Sequence, residues 1–235
     1  MVGIAQLAER LVVVQKVAGS SPVTHPNKPP RIRPGRFFHV TGRQQMSVRP
    51  IVVYGDEALH RRATEVTAFD AELRELVADM YDTMDAANGV GLAAPQIGVG
   101  LRIFTYEFVN DDGVPPRGVV VNPRITLTKV SGAQPDPDDD SEGCLSAPGL
   151  AFPLKRAQYA RVQGFDADGG AVDFEATDWF ARVIQHEYDH LDGYLYVDRL
   201  NDKWARRWKK AKKQLEWGVP GKSWMPGVDP DPFGH

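Results

Sequence analysis

A six-residue stretch from Gln185 to His190, with the sequence Q-H-E-Y-D-H, contains residue types suited to metal chemistry. His186 and His190 are four residues apart, so on a helix both imidazoles lie on one face and can bind the same metal ion. Glu187 follows the first histidine and can carry a proton to or from a water molecule on that metal. A satisfied pair of core histidines is the alternative, since the H-E-x-x-H pattern also arises by chance.

The flanking residues favour the helix that this spacing requires. Thr177 or Asp178 can cap its start, and Gly193 can end it. Between these positions, apolar side chains recur on one side at helical spacing: Phe180, Val183, Ile184 and Leu191. The sequence therefore predicts that one amphipathic helix presents both histidines.

A hydrolytic metal site needs a third protein ligand and an open position for water. Downstream of the histidines, Glu216 and His235 are poorly placed for this role. The only cysteine, Cys144, lies within Glu142–Ser146 beside a glycine that lets the backbone approach a ligand. A thiolate with two imidazoles suits zinc or ferrous iron, which makes Cys144 the best candidate for the third ligand. The alternative is a small buried apolar side chain.

A third stretch, Gly89–Gly98 with the sequence G-V-G-L-A-A-P-Q-I-G, is a weak signal by itself. In their order along the chain, the three stretches resemble the three signature motifs of the peptide deformylase family. The motifs are G-x-G-x-A-A-x-Q, E-G-C-x-S and Q-H-E-x-D-H, and each is complete here. The resemblance extends from about Met46 to Leu200.

The resemblance implies a metal-dependent hydrolase that removes the formyl group from N-formyl-methionyl peptides and nascent chains in the cytoplasm. In that family a metal-bound hydroxide attacks the formyl carbon and formate is released. Carried over by motif position, the metal ligands are Cys144, His186 and His190, with water as the fourth ligand. One Fe²⁺ ion per chain is expected, with Zn²⁺, Ni²⁺ or Co²⁺ able to substitute.

The resemblance also assigns roles around the metal. Glu187 transfers the proton, while the Gln96 side-chain amide and the Leu145 backbone N–H stabilise the oxyanion. Val90, Gly91 and Leu145 match positions that line the substrate-binding region. For Gln96 a purely structural amide is the alternative.

The segments from Met46 to Leu200 predict an α+β fold. A helix capped at Thr67 or Asp70 and closed by Asn88-Gly89 precedes several β-rich segments without intervening helices, which favours antiparallel sheets. We expect these sheets to pack around a central helix that carries the H-E-x-x-H motif. The predicted strands are Leu101–Glu107, Val119–Asn122, Ile125–Lys129, Ala157–Phe165 and Val172–Ala176, with turns at Asn122-Pro123 and Ala167–Gly170.

The composition is that of a globular protein, with 42% hydrophobic and 25% charged residues in a chain of 235. No apolar run approaches the length of a membrane span. The net charge of −3 is unevenly distributed: residues 1–45 carry +6, residues 46–200 carry −13 and residues 201–235 carry +4. An acidic body with basic ends argues against broad nucleic-acid binding by the body but leaves the ends as candidate contacts for a polyanion.

Residues 1–45 are expected to form a mostly disordered extension, because they are rich in Pro, Ser and Arg and lack apolar periodicity after Val14. Val17–Val23 can be encoded by DNA that resembles the T-arm of a transfer-RNA gene. We therefore expect translation to start at Met46. A targeting leader is the alternative.

Residues 201–216 predict a basic amphipathic helix, and residues 217–235 an irregular tail. Trp204, Trp208, Ala211 and Leu215 form an apolar stripe, and seven Lys and Arg residues lie between Lys203 and Lys213. These cations predict either contact with ribosomal RNA phosphate or a solvated helix attached by its tryptophans. The tail after Lys213 also resembles the longer ends of actinobacterial deformylases.

Two other functions use the same residues. The first is a different metal-dependent amidase or peptidase, which would also cleave unformylated peptides. The second is a ribosome-associated metalloprotein without catalytic activity.

Overall fold

The computed structural model describes residues 47–108 and 117–233, so the expectations for residues 1–45 and for a start at Met46 lie outside it. No helix in the described ranges is long and apolar enough to cross a membrane. The helices are α1 Ala71–Ala86, α2 Asp178–Leu191 and α3 Asp202–Gln214. The strands are β1 Ile51–Val52, β2 Gly91–Ala93, β3 Ile103–Glu107, β4 Arg117–Leu127, β5 Ser141–Gly143, β6 Ala151–Pro153, β7 Tyr159–Phe165, β8 Ala171–Thr177 and β9 Ser223–Trp224.

Five antiparallel strands form the main sheet, in the order β2-β3-β4-β7-β8. Helix α2 packs against this sheet, where Ala181 and Ile184 share a buried apolar cluster with Phe104, Val120 and Val162. Two smaller antiparallel pairs, β1 with β9 and β5 with β6, complete the β structure of the described residues. The predicted α+β fold with antiparallel sheets around the motif-bearing helix is confirmed.

Helix α1 begins and ends at residues that the sequence predicts as its limits. Asp70, one of the two predicted caps, accepts a hydrogen bond from the Leu73 N–H at 3.0 Å. The helix ends because Asn88 adopts a left-handed backbone (φ 52°), and the Gly89 N–H then donates to the Met84 carbonyl at 2.8 Å. The predicted apolar stripe is buried: Leu73, Leu76, Val77, Met80 and Met84.

Helix α2 begins without a side-chain cap and ends before a glycine. Thr177 occupies the N-cap position without a side-chain hydrogen bond. At the other end Gly193 has φ +82°, and a Cβ there would lie 3.0 Å from the Arg61 carbonyl carbon. Glycine is required at this position both by the left-handed backbone and by the close approach of the chain before α1.

The two strands predicted on either side of Asn122-Pro123 are in fact one strand, β4, and the predicted turn is wrong. The pairing register of β4 with β7 shifts between Val121 and Arg124, so Asn122 and Pro123 form a β-bulge. Asn122 adopts φ 51°, and its amide accepts from the Val66 N–H and donates to the Val66 carbonyl. Asn122-Pro123 is therefore a β-bulge rather than a turn, because Asn122 is bound by Val66, a residue distant in the sequence.

The C-terminal part follows its predicted pattern only in part. The cap residue Asn201 starts α3, and Trp204 and Trp208 are buried against the body as the stripe predicts. Leu215 departs from the prediction, since it is 42% exposed. The tail, expected to be irregular, contains β9, which pairs with β1.

The Asn122 bulge yields a stability prediction. Asn122→Ala removes two hydrogen bonds and puts an alanine in the left-handed region, which together should lower the free energy of unfolding by about 2–4 kcal/mol. Asn122→Gly tolerates that backbone and should be the less destabilising variant. Urea denaturation measures both, and equal losses would contradict a backbone contribution.

Candidate metal centre

Helix α2 and the loop after β5 bring three predicted ligands together. Possible ligand atoms of Cys144, His186 and His190 all lie within 4.8 Å of one another. The Cys144 Sγ is 3.3 Å from the His190 Nε2, and the two imidazole centroids are 5.0 Å apart. All three side chains are buried. The four-residue spacing on α2 thus places both imidazoles beside the thiol, as the helical geometry requires.

The polar atoms of this cluster fit a bound metal ion. Both ring nitrogens of His186 and the Nδ1 of His190 are buried without a hydrogen-bond partner among the described residues. Buried polar atoms are normally paired, and each neutral imidazole has one lone-pair nitrogen, so these imidazoles beside a thiol each have one nitrogen available to a metal ion. A sulfur and two imidazoles suit a borderline-soft transition metal such as zinc or ferrous iron.

Burial sets the protonation states at the cluster. It lowers the pKa of His190, with His186 contributing in the same direction, so that imidazole is held in the neutral form that binds metal. Burial also raises the pKa of the Cys144 thiol. Metal binding therefore requires the thiol to lose a proton.

Glu187 lies beside the cluster as a buried carboxyl group. Neither of its oxygens has a hydrogen-bond partner among the described residues. Burial raises the pKa of Glu187 well above its usual value, with the Glu142 carboxylate adding to the shift. Gly91 packs directly on this side chain, since a Cβ at position 91 would lie 2.8 Å from the Glu187 Cδ. The predicted substrate-lining glycine is thus also the residue that makes room for Glu187.

The amide of Gln96 is oriented by hydrogen bonds at both ends. It sits on a 3-10 helix, Ala94–Ile97, that follows β2. Its Oε1 accepts from the Ala93 N–H at 2.8 Å, and its Nε2 donates to the Cys144 Sγ at 3.7 Å. The amino end of the side chain therefore points to the metal cluster.

The other predicted site residues lie around the same cluster. Leu145 follows Cys144 and is fully buried. Val90 is partly buried and packs on the apolar cluster that contains Leu145. Val90 also precedes β2, which forms the edge of the main sheet. The structure thus brings every predicted site residue to one region.

A buried ion-pair network beneath the cluster was missed by sequence reasoning. The Arg156 guanidinium lies 2.7 Å from the Glu142 Oε1 and 2.6 Å from the Asp189 Oδ2. Glu142 in turn lies 3.9 Å from the His186 Nδ1. Burial alone would raise the pKa of Glu142, but the Arg156 charge outweighs it and holds that pKa at about 2. Arg156 thereby joins the cysteine loop to α2.

Gln185 makes a second link between α2 and the rest of the site. Its amide accepts from the Ala157 N–H at 3.0 Å and donates to the Ala157 carbonyl at 2.9 Å. The motif pattern marks Gln185, although only the fold shows its partner. For Arg156 no sequence signal exists, because an arginine in a loop is ordinarily solvated.

The network yields a second stability prediction. Arg156→Met removes the nearest cation from the buried Glu142 and leaves it only Arg182 at 3.7 Å, while Asp189 keeps its pair with Arg199. The free energy of unfolding should fall by about 3 kcal/mol. Arg161→Met is the matched control, since both Arg161 and its partner Asp173 are exposed and the loss should be small. Urea denaturation at matched metal content compares the two, and losses of equal size would contradict the special role of Arg156.

Comparison with known proteins gives the family. The sequence family described as polypeptide deformylase matches residues 48–206. The peptide deformylase of Mycolicibacterium paratuberculosis is 55% identical over 197 residues, covering 81% of this chain and 100% of that protein. The peptide deformylase of Rhodococcus opacus is 55% identical over 194 residues, covering 81% and 99%.

Solved structures agree with the sequence matches. The peptide deformylase from Thermus thermophilus is similar with a TM-score of 0.62 and 39% identity, over 71% of this chain and 94% of that one. The peptide deformylase from Synechococcus elongatus in complex with actinonin has a TM-score of 0.63 and 31% identity, over 76% and 95%. The matched region contains the cysteine loop, the glycine-rich stretch and α2, and on this evidence the chain belongs to the peptide deformylase family.

Proposed function

We propose that this chain is a peptide deformylase that hydrolyses the formyl amide of N-formyl-methionyl nascent chains in the cytoplasm and releases formate. The observation that carries the proposal is the buried cluster of Cys144, His186 and His190 with the Glu187 carboxyl beside it. Membership of the family supplies the substrate class.

Cys144, His186 and His190 would hold one Fe²⁺ ion per chain, with Zn²⁺, Ni²⁺ or Co²⁺ able to substitute. When bound, the ion supplies Lewis acidity that lowers the pKa of a water molecule, so that hydroxide is available near neutral pH. Glu142, which is paired with Arg156, lies 3.9 Å from the Nδ1 of His186 and so supports that side of the imidazole. Such outer contacts hold ligand side chains in the orientation that binding needs.

Glu187 acts as the proton carrier. It accepts the proton from the attacking water and passes it to the leaving amine, which requires a carboxyl group that can hold a proton between the two events. The burial that raises the pKa of Glu187 supports this role. Gly91 leaves space for the carboxyl group next to the reacting atoms.

The Gln96 Nε2 and the Leu145 N–H donate hydrogen bonds to the oxyanion that develops on the formyl oxygen. Support for Gln96 comes from its anchored amide, which points its amino end to the Cys144 side of the cluster. One preorganised donor contributes about 3 kcal/mol to stabilisation of the transition state. Val90, Gly91 and Leu145 line the substrate region, where the edge position of β2 offers backbone groups to an extended peptide.

We also propose that helix α3 contacts the ribosome. Trp204 and Trp208 attach α3 to the body, while six of its cations are exposed: Lys203, Arg206, Arg207, Lys209, Lys210 and Lys213. An exposed row of cations binds RNA phosphate in a salt-dependent manner. A solvated helix is the competing interpretation.

Cosedimentation with ribosomes at low and high salt tests this contact. Replacement of Arg206 and Lys210 by Glu should abolish cosedimentation at low salt. Replacement of the exposed Arg124 and Lys129 by Glu changes the net charge equally and should leave cosedimentation intact. Identical behaviour of both double variants would contradict docking through α3.

The activity itself is tested with protein purified without oxygen. Metal analysis accompanies a formate-release assay on formyl-Met-Ala-Ser, and the unformylated peptide serves as the control. Formate release from the first without cleavage of the second supports a deformylase over a general peptidase. No release from metal-loaded protein would refute the proposal and favour the metalloprotein without activity.

Removing the proton carrier should abolish most turnover. Glu187→Gln keeps the shape of the side chain but cannot exchange the proton, so kcat should fall about 10²–10⁴-fold. Metal content should stay unchanged, because the three proposed ligands are intact. Glu175→Gln on the exposed face of β8 is the control. Unchanged kcat in Glu187→Gln would refute the assigned role.

A methyl group at position 91 should displace the same carboxyl group. Because a Cβ there overlaps the Glu187 side chain, Gly91→Ala should lower kcat by about 10²-fold through misplacement of the proton carrier. Gly100→Ala is the matched control, since a Cβ at position 100 meets nothing within 4 Å. Formate release measures both, and equal kcat values would contradict the packing argument.

A further inference from the structure

The C-terminal tail contacts the loop that carries Cys144. Trp224 on β9 donates its indole N–H to the Leu145 carbonyl at 3.0 Å. The half-buried indole also packs on the apolar cluster that contains Leu145. A part of the chain about 80 residues away in sequence is therefore in direct contact with the residue after the cysteine.

The position of Trp224 is set by strand pairing. Ile51 of β1 pairs with Trp224, and the Val53 N–H donates to the Lys222 carbonyl at 2.9 Å. The chain that continues from β1 also reaches the cysteine loop, since the Tyr54 N–H donates to the Ser146 carbonyl at 2.8 Å. Two successive carbonyls of the loop, at positions 145 and 146, are thus bound by two segments that are paired with each other.

The end of the tail packs against the same loop. The Phe233 ring meets the Trp224 ring edge to face, with centroids 6.1 Å apart. Gly149 has φ +72°, and a Cβ there would lie 3.1 Å from the Pro232 carbonyl oxygen. The tail and the loop therefore pack closely over several residues rather than at a single point.

The contact bears on the donor that the proposed reaction needs. The Leu145 N–H takes part in none of the hydrogen bonds found among the described residues, whereas the carbonyl of the same residue is bound by Trp224. The N–H and the carbonyl of Leu145 belong to two adjacent peptide planes, whose relative orientation is set by rotation about the main-chain bonds of Leu145. The indole hydrogen bond restrains that rotation from the carbonyl side.

We propose that Trp224 is a positioning residue for deformylation. By holding the Leu145 carbonyl it restrains the backbone rotation that sets the direction of the N–H of the same residue toward the developing oxyanion, and the C-terminal tail is thereby part of the active site. This inference rests on the proposed function. It extends the site to a segment that lies beyond all three motifs.

Trp224→Phe tests the inference because it keeps an aromatic ring on β9 and removes the donor. Loss of one hydrogen bond that matters mainly in the transition state should lower kcat about fivefold and change KM less than twofold. Trp217→Phe is the matched control, since Trp217 lies in the same tail but packs on Trp208 of α3. Metal content and melting temperature are measured for both variants.

Amide hydrogen exchange of peptides covering residues 142–150 gives a readout apart from activity. Exchange there should be faster in Trp224→Phe and unchanged in Trp217→Phe. Faster exchange with unchanged kcat would overturn the inference, as would equal kcat losses in both variants or a loss that follows metal content. If the unmodified protein released no formate, the proposed function would fail, while the exchange result would still report whether Trp224 restrains the loop.

Discussion

The buried guanidinium of Arg156 joins the two parts of the chain that supply the candidate metal ligands, and Arg182 of α2 adds a second ion pair to the segment before Cys144. It contacts Glu142, two residues before Cys144, and Asp189, one residue before His190. A buried cation is tolerated only when carboxylates neutralise it, and buried carboxylates in turn need cations, which Arg182 and Arg199 supply in addition to Arg156. The distance between the cysteine loop and α2 is therefore set by a mutual requirement for charge compensation.

Helices and strands that depend on residues close together in the sequence could be predicted from it. Helix α1 follows from its Asp70 cap and apolar stripe, and α2 from the four-residue spacing of His186 and His190. The antiparallel fold follows from β-rich segments without intervening helices. The glycine-rich motif follows the predicted α1 and the H-E-x-x-H motif lies on the predicted α2, whereas the cysteine motif begins in β5, a strand that was not predicted.

Features with distant partners could not be predicted in this way. Asn122-Pro123 has the composition of a turn, and only the hydrogen bonds to Val66 make it a bulge. Trp224 lies in a stretch rich in Gly and Pro, where nothing in the local pattern indicates that β1 will pair with it. In both cases the deciding interaction joins residues that are far apart in the chain, so short-range patterns contain no information about it.

The same burial that makes the site chemically useful also explains its glycine. Burial raises the pKa of Glu187, because a charged carboxylate is disfavoured away from water, and Glu187 is fully buried. Full burial leaves room for no side chain at position 91, since a Cβ there would overlap Glu187. The glutamate of H-E-x-x-H therefore fits only because the second glycine of G-x-G-x-A-A-x-Q has no side chain. This packing is a physical reason for both motifs to occur in one chain.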